Sequence, residues 1–218
     1  MSRITRLFVV CACLTFLGAA SVAQAQELSP IRLPAPKMDG GKPLMQALKE
    51  RQSIREYGDQ KLAPQTLSNL LWATWGINRP DGHRTAPSAS NKQEIDVYVV
   101  LPEGAYLYDA VAHALNPVAA GDLRAATGTQ PFPATAALNL VYVADMAKAG
   151  RPATDPQQAL NTGADAGFIA QNAYLYCASE GLATVVRASV NKPELAKLLK
   201  LRADQLIVLA QSVGYPKK

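Results

Sequence analysis

Arg51-Gln52-Ser53-Ile54-Arg55 packs two guanidiniums and a hydroxyl into five residues. Placed at the exit of a short helix, the heads of Arg51, Ser53 and Arg55 can converge on one phosphate through charge-assisted hydrogen bonds. Further along, Pro87-Ser88-Ala89-Ser90-Asn91-Lys92-Gln93 offers hydroxyls, an amide and free backbone N–H groups. That set suits a polyol chain and the polar edge of a ring. Either stretch alone also reads as a solvated basic face or a polar surface loop. Together they describe the binding of a phosphate, a polyol and a ring, the parts of a nucleotide cofactor.

Other chemistries find little support. His83 and His113 are the only histidines, far apart and without cysteines at ligand spacing, so no metal site is expected. No Gly-x-Ser-x-Gly elbow, Walker loop or Gly-x-Gly-x-x-Gly turn occurs, which disfavours hydrolase, nucleoside triphosphatase and dinucleotide-domain readings.

The elements that must hold these residues follow from periodicity. Leu44, Met45 and Leu48 form an apolar stripe on a helix starting near Pro43, which brings Arg51 to its end. Pro64 opens a second helix with Leu67, Leu70, Leu71 and Trp75 on one face and Gly76 as its stop. Ile95, Val97 and Val99 alternate with polar positions in a half-buried strand, and residues 105–108 make its hairpin partner. Residues 119–128 read as a short helix and 138–143 as a strand. A long helix runs from Pro156 to Glu180, with Gly163, Ala164, Ala166, Gly167 and Ala170 permitting close backbone approach; it is either an interface helix or an Ala-rich core helix. Gly181 ends it. Residues 182–187 form a strand, Asn191 caps a helix reaching about Leu199 with Pro193 and Glu194 in its first turn, and residues 205–213 form an apolar central strand. Strands and helices in this mixture, with a hairpin, argue for an α+β fold.

Arg3 and Arg6, an apolar run over residues 7–17 and Ala23-Gln24-Ala25 read as a secretory signal peptide over residues 1–25, cleaved after Ala25. The bland alternative is an uncleaved membrane anchor; the apolar run is short for a bilayer. A periplasmic or secreted location is the expectation. Removing residues 1–25 takes away two basic residues and no acidic ones, lowering the net charge from +5 to +3. That mild excess suits one anionic cofactor better than nucleic acid. Cys11 and Cys13 leave with the signal, and the remaining Cys177 excludes an intrachain disulfide. Residues 26–43, rich in proline and glycine, form an extended N-terminal arm, and residues 44–218 form one domain.

In order along the chain, Leu48 to Tyr57, Leu70-Leu71-Trp72-Ala73-Thr74-Trp75-Gly76-Ile77-Asn78, Arg84-Thr85-Ala86-Pro87-Ser88-Ala89-Ser90-Asn91, Gly163 to Asn172, Glu180 to Val186 and Val213-Gly214-Tyr215-Pro216 resemble the FMN-dependent nitroreductases. In wording they are most similar to the SagB-type branch, which includes thiazole/oxazole dehydrogenases. The resemblance implies a three-layer α-β-α sandwich with a mixed, largely antiparallel sheet, dimeric, with the long helix at the subunit interface and the arm able to lie over the partner. It implies FMN as cofactor, with no catalytic side chain because the flavin carries the chemistry. Arg51, Ser53 and Arg55 would take the phosphate, with Gln52 where relatives often carry a basic residue or histidine. Pro87, Ser88 and Asn91 would meet the ribityl chain or ring edge. Asn91 stands where many SagB-type chains have glycine, which draws the chain toward simple nitroreductases. The backbone of Ala188 and Ser189 would lie near flavin N5, where several nitroreductases carry a glutamate. Arg187 would face the pyrimidine side or solvent, and Lys217 or Lys218 would reach the phosphate or form a frayed basic tail. The function implied is an exported FMN-dependent oxidoreductase, passing electrons by ping-pong transfer through N5 to a nitroaromatic or quinone-type acceptor. The alternatives are a SagB-like dehydrogenase of peptide azolines and a catalytically inactive flavin-binding or scaffold protein.

Overall fold

The computed structural model describes residues 28–218, so the signal peptide read in residues 1–25 lies outside the described residues. Seven strands form one sheet: β1 (Ile31–Arg32), β2 (Ile95–Leu101), β3 (Gly104–Asp109), β4 (Ala114–Ala120), β5 (Leu138–Asp145), β6 (Ala183–Arg187) and β7 (Gln205–Gly214). Their order is β1-β4-β3-β2-β5-β7-β6, and every pairing is antiparallel. The mixed character expected of the sheet is absent among the described residues for a topological reason. The crossover from β5 to β6 makes them mutually parallel, but β7 inserts between them and turns both contacts antiparallel.

Five α-helices accompany the sheet: α1 (Leu44–Glu50), α2 (Pro64–Trp75), α3 (Met146–Ala149), α4 (Pro156–Glu180) and α5 (Lys192–Leu198). Pro64 occupies the first turn of α2, where its missing N–H costs nothing, and Leu67, Leu70, Leu71 and Trp75 point into the core. A Cβ at Gly76 would sit 2.4 Å from the Trp72 ring, so the helix stops on the one residue that fits there. α4 starts on Asp155, whose carboxylate accepts from Gln157 N–H at 2.8 Å, and ends on Gly181 at φ 70°. One face of the sheet packs with α2 and α4 through Leu70, Leu71, Val97, Leu140, Ile169 and Ala173. The other packs under α5 through Val100, Val141, Leu195 and Leu199. Strand β2 is therefore buried on both faces from Val97 to Val100, more than the half-burial its alternation predicts.

Other expectations are corrected locally. Residues 119–128 hold no α-helix: Ala114–Ala120 is strand β4, and Arg124–Thr127 is a single 3-10 turn. Alanine's helix propensity yields there to pairing with β3, and Pro117 is accommodated where the register shifts between Ala105 and Tyr106. Asn191 makes no side-chain cap to the backbone; its amide donates instead to the Glu194 carboxylate at 2.8 Å. Strand β7 is interior but only one place from the sheet edge. On α1 the Leu44, Met45 and Leu48 stripe faces outward, 63%, 76% and 44% exposed, while Ala47 is the residue buried. The arm makes contacts within the chain: β1 pairs with β4, and Ser68 of α2 donates to the Pro34 carbonyl at 2.6 Å.

Candidate functional site

The chain leaves α1 at Arg51 in an extended conformation and runs along the free edge of β6, where Ile54 N–H donates to the Thr184 carbonyl at 3.0 Å. The end of the chain closes the other flank: Gly58 N–H donates to the Tyr215 carbonyl at 2.9 Å and Lys217 N–H to the Glu56 carbonyl at 3.2 Å. Tyr174, reaching out from α4, joins these parts. Its hydroxyl accepts Val186 N–H at 2.9 Å, lies 2.8 Å from Ser53 Oγ, and its ring carries the Arg51 guanidinium 5.3 Å from the centroid. With Val186 occupying one lone pair, Tyr174 can donate to Ser53 and leave the Ser53 proton for a ligand.

A cleft of about 530 Å³ opens here, lined by Lys42, Lys49, Glu50, Arg51, Gln52, Tyr174, Thr184 and Pro216. Its carboxylate, Glu50, is taken by Lys42 at 2.6 Å, and that hydrogen bond is the main reason its pKa is lowered. Among the described residues neither Lys49 nor Arg51 makes a salt bridge. Two uncommitted cations and a free hydroxyl make a donor set suited to a phosphate.

The second stretch lies farther along α4. Ala89 N–H donates to Asp165 Oδ2 at 2.9 Å, and Asp165 precedes Tyr174 by nine residues, about 13 Å of helix axis. The loop is internally braced: Gln93 N–H donates to Ser88 Oγ at 3.0 Å, the Gln93 amide to Asn91 Oδ1 at 3.0 Å, and Arg84 Nε to Gln93 Oε1 at 2.8 Å. Ser90, Asn91 and Gln93 all take left-handed backbone, at φ 53°, 52° and 50°. Ser88 is half-buried, whereas Pro87 and Asn91 are exposed.

The third part is the turn after β6. Ala188 and Ser189 are exposed, and Thr129 N–H donates to the Ser189 carbonyl at 3.0 Å. Of the two sequence readings of Arg187, the solvent-facing one is corrected. The side chain is buried, its two terminal nitrogens donating to Ser212 Oγ, the Thr127 carbonyl and hydroxyl, and Asn139 Oδ1 at 2.8–3.0 Å. Its Nε has no partner and packs where a Cβ on Gly128 would lie 2.5 Å away. Burial without a carboxylate lowers its pKa to about 10. Cys177 is also fully buried, and burial pushes its thiol up, away from nucleophilic use.

Arg51 and Gln52 thus line one cleft, Ser53 adjoins it through Tyr174, and Lys217 flanks the same segment beside the exposed Arg55. Ala188 and Ser189 end the strand that anchors the cradle. Pro87, Ser88 and Asn91 sit apart, tied to the same helix.

The Nitroreductase family model matches residues 48–215. The chain belongs to the nitroreductase family. A crystal structure of a nitroreductase homologue from Ralstonia eutropha JMP134 superimposes with a TM-score of 0.81 at 44% identity, over 87% of this chain and 90% of that one. A nitroreductase homologue of Methanocaldococcus jannaschii is 29% identical over 176 residues, 76% of this chain and 88% of its own. The fold also recurs in the Escherichia coli microcin synthetase McbBCD complex, with a TM-score of 0.66 over 94% of this chain and 85% of that one; at 20% identity this speaks of fold alone.

Sequence reasoning did not find Tyr174, Lys42, Lys49 or Thr184 in this nitroreductase-family cleft. Tyr174 could have been signalled by a polar aromatic among the alanines on the inner face of the long helix, a position that demands a hydrogen-bond partner.

Proposed function

We propose that this member of an oxidoreductase family is an exported, FMN-dependent homodimeric enzyme that moves electrons between small molecules. The observation that carries the cofactor reading is the cleft in which Lys49 and Arg51 form no salt bridge, its carboxylate Glu50 being bound by Lys42, beside the Ser53 hydroxyl. When bound, FMN would supply two-electron redox chemistry between a reduced donor and a nitroaromatic or quinone-type acceptor.

The chain's own residues bind and orient. Arg51, Lys49 and Ser53 hold the phosphate, Lys217 adds positive charge on its flank, and Gln52 lines the entrance. Arg55 is exposed and contributes by its field. Ser88 and Asn91, on the braced loop beside Pro87, meet the ribityl chain or ring edge. The exposed turn at Ala188 and Ser189 offers backbone donors near N5. Because this turn is exposed, donor and acceptor would reach the same side of the site in succession, and ping-pong kinetics would follow.

The homodimer reading rests on an uncovered apolar face. Leu44, Met45 and Leu48 of α1 and Leu160 and Phe168 of α4 are exposed, and Gly163 and Gly167 between them have open space where a Cβ would stand. Patches of this kind mark protein contacts.

The test is a titration of the mature protein with FMN, followed by anaerobic addition of NAD(P)H and other donors. A yellow protein bleached by a donor supports the enzyme. A yellow protein inert to every donor supports a flavin-binding scaffold, and one that takes up no FMN removes both.

A further inference from the structure

Glu94 stands at the junction of the Ser88–Gln93 loop and β2, 1% exposed, with both carboxyl oxygens buried and without a hydrogen-bond partner. Its carboxyl lies within hydrogen-bonding reach of Asp165 on the inner face of α4, itself 2% exposed. Asp165 already accepts Ala89 N–H. Two buried carboxylates facing each other resist being ionised together, because repulsion and desolvation add, and the Glu94 backbone N–H beside its own carboxyl offsets this only in part. Glu94 takes the proton and donates it to Asp165, which gives each carboxyl its missing partner.

The loop needs such a tie. Three non-glycine residues in left-handed backbone cost about 1 kcal/mol or more apiece and persist only where their surroundings over-determine them. Its hydrogen bonds run within the loop or to residues 82–84, save the single bond from Ala89 to α4. We infer that Glu94 and Asp165 share one proton and act as positioning residues, latching the loop that carries Ser88 and Asn91 onto α4. The inference deepens the cofactor reading and rests on it for the roles of Ser88 and Asn91.

The charged groups facing Glu94 are Asp165 from α4 and Lys148 from α3, the latter already bound to Asp96 on β2 at 2.6 Å. Burial first, and then Asp165, raise the Glu94 pKa above the ordinary 4.5, against the opposing hydrogen bond from the Glu94 backbone N–H and a smaller effect of Lys148. The folded chain holds this proton more tightly than the unfolded chain. The latch is therefore complete below 4.5 and is lost as pH rises through the folded value, where a second negative charge appears beside Asp165.

The experiment compares wild type with Glu94→Gln, which keeps a donor toward Asp165 but has no proton to lose. Three quantities are followed against pH: FMN affinity, hydrogen exchange at the Ala89 amide in cofactor-free protein, and the infrared band of a protonated carboxyl. In wild type we expect affinity to fall about tenfold and Ala89 exchange to rise beyond its intrinsic pH dependence, both as the carboxyl band disappears. Glu94→Gln should lack the band at every pH and show neither step. A wild-type pH step that survives in Glu94→Gln would overturn the inference. So would the absence in wild type of a protonated-carboxyl band that persists above pH 4.5, a reading that needs no variant to fold. Protein that takes up no FMN yet shows the band and the Ala89 step would remove the cofactor reading and leave the latch standing.

Discussion

Replacing Arg187 by methionine tests how this protein tolerates a buried cation beside its proposed cofactor turn. The guanidinium donates four hydrogen bonds to Ser212, Thr127 and Asn139 and lies 5.6 Å from the Phe132 ring centroid. On its removal Ser212 and Asn139 still bond each other, and the Thr127 hydroxyl still donates to Arg124, so the Thr127 carbonyl is left stranded. A stranded buried acceptor costs about 1–3 kcal/mol, and a desolvated cation–π contact is worth about 2. Relief of the guanidinium's desolvation returns part of that. The balance is a loss of about 3 kcal/mol, or a fall of roughly 6–12 °C in Tm for a domain of this size. Calorimetry and urea unfolding should both show it, with the midpoint displaced and the slope unchanged. Arg187→Lys should rescue little, because three donors on one nitrogen cannot reproduce the planar fork. A methionine variant within about 0.5 kcal/mol of wild type would refute the reasoning by showing that desolvation cancels the bonds.

Arg51→Ala should weaken FMN by roughly 10- to 100-fold in a fluorescence-quenching titration, the worth of a charge-assisted bond, while Lys218→Ala changes it by less than about threefold; equal losses would put the phosphate elsewhere. Phe168→Asp, on the open face of α4, should convert a dimer to a monomer in light scattering, and an undisturbed dimer would move the interface to another surface. His113 accepts from the Tyr108 hydroxyl at 3.0 Å on Nδ1 and contacts Ser68 Oγ at 2.7 Å on Nε2, and burial lowers its pKa from 6.5. The folded state favours the neutral ring, so stability is full above 6.5 and is lost as pH falls through the folded value. Limited proteolysis of the arm at residues 28–43 should accelerate in that acidic window, and His113→Gln should flatten the dependence.

What the sequence disclosed was what local chemistry decides. Pro64 with Gly76, and Pro156 with Gly181, bracket helices whose punctuation lies within a few residues of the features it controls. The segment proposed to hold a phosphate is likewise contiguous, and Arg51 to Arg55 could be singled out without tertiary information. Strand β4 was missed because its pairing with β3, across a bulge at Ala105 and Tyr106, outweighs the helix propensity of its alanines. The hydrogen-bonded burial of Arg187 was not foreseen because a charged residue on a strand argues for exposure, and the groups that permit its burial lie 25 to 60 residues away in sequence. Glu94 and Asp165 are hidden for the same reason: each is an ordinary acid until the fold places them together. The outward stripe of α1 has correct periodicity and no core of its own to face, and periodicity alone does not say which surface covers it.

The most direct measurement is a calorimetric titration of the folded protein with FMN. Saturable binding at one cofactor per chain, abolished or strongly weakened in Arg51→Ala, is the outcome expected from the uncommitted cations at the β6 edge. Absence of binding heat and of flavin fluorescence quenching, in protein that remains folded by circular dichroism, would contradict the account at its centre.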